Sequence, residues 1–348
     1  MANWYIETFS DELVAIDTAI RTFIQSHDKK AEIFWQQIYE HFDYIYPDAL
    51  QEPKPFNAGK RVRPLMMMLV ARSLAGRYEQ ILPAGVALEL IHNFTLIHDD
   101  IMDGDDTRRG RPTLWTRYGV AQAIDSGDGL FALGIISSLQ AGLPDVSAER
   151  VLAASRYLIQ ACLDTVEGQA LDISFEDRLD ITPDEYLTMI RLKTGRFIET
   201  ATHIGALLST DDAAVVANYT EFGKYLGLAF QMQDDYLGIW GDPEVIGKSS
   251  TGDIENKKKS YPITYAFTHA DEPQQKRLHA IYTKDELDTD DVSVVLGVLD
   301  ELDVRAKTEA IVEQYYTNAM SALDALGLDN ADYDNLRKLA QFIVQRSY

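Results

Sequence analysis

Apolar residues recur at the three-and-four step of a helix from the start of the chain, as in Leu13, Ile16, Ile20, Phe23 and Ile24, with Ser10 and Asp11 ahead of them as capping residues. No alternating strand pairs bounded by hairpin signals break that rhythm, and 11 prolines in 348 residues leave room for long uninterrupted helices. The spacing therefore predicts an all-α fold. Two capping boxes mark helix starts: Thr182-Pro183-Asp184-Glu185, with proline at the first helical position and Ile181 and Tyr186 spaced as a hydrophobic staple, and Thr283-Lys284-Asp285-Glu286. Residues 241 to 260 depart from the pattern. They are polar, carry Gly241, Gly247 and Gly252, and read as a long loop, either a solvated surface segment or a functional one whose Lys248, Lys257, Lys258 and Lys259 reach a phosphate. No Pro-, Gly- or Ser-rich linker divides the chain, so residues 1 to 348 are expected to form one domain.

A formal charge of -23 and a pI near 4.6 argue against nucleic-acid binding, which needs a basic footprint. Runs such as Asp285 to Asp291 read as solvated acidic surface. Against that background the clusters Lys60-Arg61-Val62-Arg63, Arg108-Arg109-Gly110-Arg111 and Lys257-Lys258-Lys259 stand out as candidate anion sites. A single cysteine, Cys162, excludes an intrachain disulfide framework, suits a reducing compartment and reads as a small buried hydrophobe; Met66-Met67-Met68 reads as core filling. The N-terminus has no basic region followed by an apolar one, and the longest apolar stretch, Leu65 to Val70, is far shorter than a membrane span. A cytoplasmic protein without a membrane span is the expectation.

Chemistry concentrates where carboxylates interrupt apolar helical runs. In Leu96-Ile97-His98-Asp99-Asp100-Ile101-Met102-Asp103, a helix sets Asp99 and Asp103 one turn apart on one face, Cβ atoms roughly 5 to 6 Å apart, with Asp100 beside them. The repulsion costs a few tenths of a kcal/mol per pair unless a cation sits between the carboxylates. Mg²⁺ is the natural one: it takes oxygen ligands, accepts one or two carboxylates and leaves positions for phosphate. A second pair, Asp234-Asp235, lies within the apolar run Tyr225 to Ile239, where a buried carboxylate is unfavourable unless paired or metal-bound. With the basic clusters, the two pairs describe carboxylate walls that hold a diphosphate through bridging Mg²⁺. His92, alone in an apolar helix, reads either as a core residue or as part of this site, being seven residues before Asp99 and nearly in line with it.

These residues carry a resemblance to the trans-isoprenyl diphosphate synthases, or polyprenyl synthetases, from about Gly59 to Pro262. Gly59-Lys60-Arg61-Val62-Arg63-Pro64, Glu89 to Asp103, Arg108-Arg109-Gly110-Arg111-Pro112, Glu167-Gly168-Gln169 with Asp172, Lys193-Thr194-Gly195, and Gln231-Met232-Gln233-Asp234-Asp235 follow one another in family order, with Lys248 and Lys258 where the family's loop lysines fall. The resemblance implies a single bundle of mostly antiparallel helices around a deep cavity, acting as a homodimer. It implies three Mg²⁺ ions on Asp99, Asp103 and Asp234, with Asp100 and Asp235 in support. Arg108, Lys193, Lys248 and Lys258 are expected on the allylic diphosphate, Thr194 and Gln231 lining its site, and Lys60, Arg63, His92 and Arg109 on isopentenyl diphosphate. The activity so implied is ionisation of an allylic diphosphate, attack by the isopentenyl double bond and loss of a proton.

Two positions depart from the family pattern: Gly238 stands where many relatives place a third aspartate, and Lys257 where glycine is usual. Phe94 lies five residues before Asp99, roughly 7.5 Å down the helix axis, where the family often floors the product pocket. With no two-residue insertion in the first motif, this resembles the archaeal-type geranylgeranyl synthases and implies a C20 product, with C15 as the alternative. A class I terpene cyclase would share the first aspartate helix but has no use for Lys60, Arg63 and Arg109. A non-catalytic partner subunit of another synthase fits Gly238 but not the intact aspartates and arginines.

Overall fold

In the computed structural model, residues 2–27, 30–43, 59–142, 146–242 and 251–344 are described, and Lys248 lies outside them. The all-α expectation holds. In chain order the helices are α1 (Ala2–Thr8), α2 (Ser10–His27), α3 (Glu32–His41), α4 (Val62–Ala75), α5 (Leu82–Met102), α6 (Leu114–Tyr118), α7 (Val120–Ser138), α8 (Ala148–Phe175), α9 (Pro183–Ile190), α10 (Arg196–Leu207), α11 (Ala213–Trp240), α12 (Gly252–Glu255), α13 (Tyr261–His269), α14 (Glu272–Tyr282), α15 (Thr289–Glu301), α16 (Val304–Asp324) and α17 (Ala331–Val344). They fall into two compact units, Met1–Cys162 with Thr200–Ala217 and Leu328–Leu336, and Leu163–Glu199 with Asn218–Gly327 and Arg337–Tyr348. The segments interleave, so no linker in the sequence separates one unit from the other.

The first unit is organised by α5. Its Ala87, Leu88, Leu90 and Ile91 are fully buried, and burying each large apolar side chain contributes about 1.5–3 kcal/mol. It packs chiefly against α7 and also against α4 and α2. Close approach to α7 depends on Gly134, where a side-chain carbon would sit 2.6 Å from Ile91 Cγ1. Met66, Met67 and Met68 fill core on α4 as expected, and Cys162 is buried, its thiol pushed up to about 11 by desolvation. Glu79–Met102 is long and apolar enough to cross a bilayer, although 61% of its apolar window is buried in the fold. The interruption of this run by single polar residues hides its mean hydropathy from a search for unbroken apolar stretches.

In the second unit the capping box at α9 forms as read: Thr182 Oγ1 accepts from the Glu185 N–H at 3.2 Å, Glu185 Oε2 accepts from the Thr182 N–H at 2.9 Å, and Ile181 and Tyr186 are buried. The other predicted box does not. Thr283 ends α14 and its hydroxyl donates back to the His279 carbonyl, while Asp288 caps α15 by accepting from the N–H groups of Asp290 and Asp291. A carboxylate two positions before an acidic first turn outcompetes the upstream threonine. A core of Ile239, Ile254, Ile263, Leu278, Val295 and Leu299 ties α11 through α15 together. Ile254 belongs to α12, a single turn that interrupts the segment read as a continuous loop from 241 to 260.

Candidate active site

In the first unit, α5 runs to Met102 and the Asp103 N–H donates to the Asp99 carbonyl at 2.8 Å, so the two carboxylates do lie one turn apart on one face. Asp103 is exposed and Asp99 half-buried, whereas Asp100 is buried and accepts from Arg108 Nε at 2.5 Å. Desolvation raises the Asp100 carboxyl above its ordinary range against the pull of Arg108. Three carboxylates thus crowd the carbonyl end of a helix with no basic residue in its last turn, a placement that the helix dipole makes unfavourable. Among the described residues no three His, Cys, Asp or Glu side chains close around a point. Oxygen ligands on one helix face without a protein cage fit Mg²⁺, which keeps waters and phosphate oxygens in its remaining positions.

A feature that the sequence reading missed aims the arginines. Thr107–Arg108 and Arg111–Pro112 form a two-stranded antiparallel hairpin with Thr107 opposite Pro112 and Arg108 opposite Arg111. The turn residues Arg109 and Gly110 both have positive φ, 54° and 74°, the mirror-image turn that suits a two-residue hairpin. Arg-Gly is a weaker signal for it than Asn-Gly, which is why it escaped notice. As a result Arg108 turns to Asp100 while Arg109 lies against the Gly59 backbone, where a side-chain carbon would be only 2.7 Å from Arg109 Nη2. Arg61, next along from Lys60, has φ 49° and is buried between Glu89 and Asp17 at 2.8 and 3.2 Å; Lys60 itself is exposed.

Arg63 Nη1 donates to His92 Nε2 at 3.1 Å. Burial first, then Arg63 and the other arginines, holds His92 well below its ordinary range, so it is a neutral acceptor rather than a cation. No motif points to His41, whose Nε2 donates to Asn93 Oδ1 at 2.9 Å; Asn93 in turn donates to the Glu89 carbonyl at 2.7 Å. Desolvation lowers His41 to about 4. The first unit thus brings Arg63 and Arg109 near neutral His92, while Lys60 follows Gly59, the residue Arg109 lies against, in sequence. Lower on α5, the Phe94 ring meets His98 edge-on at 4.8 Å and Phe131 of α7 at 5.4 Å.

In the second unit, Asp235 is fully buried and saturated with donors: the Tyr186 hydroxyl, the Tyr261 N–H at 3.0 Å at the start of α13, and Gln231 Nε2 at 3.1 Å. Asp234, one residue earlier on α11, is half-buried. Lys193 donates to Asp172, and both ends of this pair are set by backbone geometry. Residues Arg191–Gly195 form a wide π-helical turn between α9 and α10, a distortion frequent at functional sites, and Gly168 lets α8 approach so closely that a side-chain carbon there would lie 2.8 Å from Lys193 Cα. Thr194 sits half-buried in the same turn. Near it in sequence to Gly168, the Gln169 carboxamide is buried with no hydrogen-bond partner, an unmet polar group of the kind a substrate satisfies. Lys258 Nζ stands 4.0 Å from Asp235 Oδ1, and Lys257 holds φ 51°, a left-handed backbone that glycine adopts more readily than lysine.

The polyprenyl synthetase family model matches residues 49–299. The chain is 32% identical over 326 residues to a short chain isoprenyl diphosphate synthase of Methanothermobacter thermautotrophicus, covering 92% of this chain and 97% of that one. It is 32% identical over 306 residues to a (2E,6E)-farnesyl diphosphate synthase of Mycobacterium bovis, covering 86% and 83%. Among solved structures, the geranylgeranyl pyrophosphate synthetase of Pyrococcus horikoshii superposes with a TM-score of 0.87 at 30% identity, covering 99% of each chain. With the family model spanning most of its length and its aspartate, arginine and lysine motifs set on helices as described, the chain belongs to the polyprenyl synthetase family.

Proposed function

We propose that this protein is a short-chain trans-prenyltransferase that condenses isopentenyl diphosphate with dimethylallyl, geranyl or farnesyl diphosphate, with a C20 product and C15 as the alternative. The observation that carries the reading is Arg63 donating to His92 and Arg109 lying against Gly59, the residue before Lys60, which supports a second set of diphosphate-binding cations beside the Arg108–Asp100 pair. A terpene cyclase needs only one diphosphate site, and a non-catalytic subunit needs none. The relatives named above as farnesyl and geranylgeranyl synthases support the same class. Under this reading residues 1–348 work as one catalytic domain in the cytoplasm.

In this scheme Asp99, Asp103 and Asp234 would hold Mg²⁺, three ions in all, which would supply Lewis-acid stabilisation of the departing diphosphate. Arg108, Lys193, Lys248 and Lys258 neutralise the same leaving group, and Thr194 and Gln231 line its place. Asp100 and Asp235 orient their neighbours: Asp100 fixes Arg108, and Asp235 fixes Gln231. Lys60, Arg63, His92 and Arg109 bind the isopentenyl diphosphate, His92 as the neutral acceptor that aims Arg63. As the allylic C–O bond breaks, the isopentenyl double bond forms the new C–C bond, and the released diphosphate takes the proton that restores a double bond. Apolar walls exclude the water that would trap the cation.

Homodimerisation is part of the proposal. Leu152, Ile159, Leu163, Val166 and Ile173 recur along α8 at helical spacing, and each is 39 to 54% exposed. An apolar stripe of this size on a soluble protein marks an interaction surface. Sedimentation of a Leu163→Asp variant as a monomer, with the parent chain a dimer, is the expected result.

Purified protein given Mg²⁺, isopentenyl diphosphate and dimethylallyl diphosphate is expected to yield prenyl diphosphates; a hydrocarbon or alcohol would identify a cyclase, and no product a regulatory subunit. Phe94→Ala is expected to lengthen the product. An unchanged product distribution from that variant would remove Phe94 from the floor of the pocket.

A further inference from the structure

Position 238, glycine where many relatives place a third aspartate, is not vacant space. A side-chain carbon built on Gly238 would lie 2.5 Å from both Cγ and Oδ2 of Asp253 and 2.8 Å from Oδ1, so the Asp253 carboxylate rests directly on the α11 backbone. The residue is held there from below. Ile254, next in sequence, is fully buried in the core with Ile239, one residue past Gly238, so α12 and α11 are pinned together at this point. From this seat Asp253 grips Lys258 twice. Its carbonyl accepts the Lys258 N–H at 2.8 Å, and Oδ2 accepts from Lys258 Nζ at 3.4 Å.

The left-handed turn at Lys257 is what folds Lys258 back to reach both groups. Asp253 is 16% exposed at its side chain and Lys258 48%, so the ammonium is the outward member of the pair. Desolvation works against the charge on Lys258, but Asp235, Asp253 and Asp234 together hold it above the ordinary lysine range. The ammonium therefore stays charged beside the Asp234-Asp235 pair.

We propose that Asp253, its carboxylate seated against the α11 backbone at Gly238, is the positioning residue for Lys258. The inference rests on the reading above that Lys258 binds the allylic diphosphate. Without Asp253 the lysine loses both its direction and the partner that offsets its charge in the free enzyme, and the allylic substrate must order it on binding.

The test compares Lys258→Ala, Asp253→Ala, Asp253→Asn, the Lys258→Ala/Asp253→Ala double variant, Gly238→Asp and the exchange Gly238→Asp/Asp253→Gly. Lys258→Ala and Asp253→Ala are each expected to raise the allylic KM by about tenfold while the isopentenyl KM moves by less than about twofold, and the double variant should be no worse than Lys258→Ala alone. Asp253→Asn, of the same shape, should reproduce the KM change with an unchanged melting temperature, separating positioning from folding. A silent Lys258→Ala would remove the diphosphate role of that lysine and the positioning role with it. An active Lys258→Ala with a silent Asp253→Ala, or effects that multiply in the double variant, would overturn the positioning role alone.

The seat at Gly238 is read first by melting temperature and then by the allylic KM. Gly238→Asp should melt about 3 °C or more below the parent chain because two carboxylates compete for one place, and the exchange variant should recover most of that loss and return the allylic KM to within about threefold. If Gly238→Asp melts like the parent chain, Asp253 does not hold that space.

Discussion

Asp99-Asp100 and Asp234-Asp235 are the same dipeptide in the same kind of apolar helix, and each places its second carboxylate in the interior. They neutralise it differently. Asp100 meets a guanidinium, Arg108, delivered by a hairpin eight residues along the chain, whereas Asp235 meets a hydroxyl, a peptide N–H and a carboxamide from residues 186, 261 and 231, with the Lys258 ammonium farther off at 4.0 Å. The first is a local, directly ion-paired and partly wet arrangement, with Arg108 29% exposed; the second is a hydrogen-bond cage around a fully buried carboxylate, two of its three donors coming from residues distant in sequence. The difference teaches that a buried carboxylate can serve as an anchor for a mobile cation or as a keystone of packing, and that sequence alone displays only the first kind.

If the leading aspartates Asp99 and Asp234 share one task despite these different supports, Asp99→Ala and Asp234→Ala should each lower kcat by roughly 10³-fold, with little change in melting temperature. A large loss from one and a small loss from the other, in Mg²⁺-saturated steady-state assays, would break the symmetry. The trailing pair should divide in the opposite sense. Asp235→Ala strands a buried hydroxyl and an N–H and is expected to lose about 3 kcal/mol of unfolding free energy, while Asp100→Ala frees an arginine that can turn to solvent and should lose about 1 kcal/mol. Urea titration of both variants measures the gap, and equal losses would erase the distinction drawn here.

The first region also carries a histidine titration, at His41. His41 is held to about 4 in the fold against an ordinary value of 6.5, by desolvation and then, against its bond to Asn93, by the arginines around it. Above pH 6.5 both folded and unfolded chains carry it neutral and its contribution to stability is complete. Between 6.5 and about 4 the unfolded chain takes up a proton that the folded one refuses, so that contribution falls by about 1.4 kcal/mol per pH unit and levels off below. His41→Gln keeps a donor and removes the titration, so the stability difference between parent and variant should move in favour of the variant with acid; a difference constant from pH 7 to 4.5 would contradict it. The smallest effect belongs to the second region. Lys257→Gly relieves a left-handed side-chain clash but gives up the bond from Lys257 Nζ to the Lys284 carbonyl and loosens the unfolded chain, leaving a net gain of about 0.5 kcal/mol in unfolding free energy with the allylic KM unchanged.

Legibility followed sequence distance. The turn joining Asp99 to Asp103, the α9 capping box and the buried methionines of α4 were all readable because their determinants lie within four residues of one another. The Thr283 box failed because a better cap, Asp288, stood five residues on and competed for the same helix. The hairpin at Arg109 was hidden by its brevity, two residues a strand being too few to show alternation. His41, Asp253 and the Tyr186 hydroxyl bond were invisible, since each depends on a partner brought near only by folding: Asn93, Gly238 and Asp235.

The wide turn at Arg191–Gly195 carries an implication of its own. Closing a ring one residue larger than the surrounding α-helix inserts a step of about 100° into the angular count, so faces deduced for α9 cannot be extrapolated into α10. Removing a single residue there would restore ordinary winding at the expense of re-aiming Lys193 and Thr194 together. A deletion scan across these five positions would therefore read as an all-or-none pattern, in contrast to the graded response of substitutions, because phase along a helix is counted in whole residues.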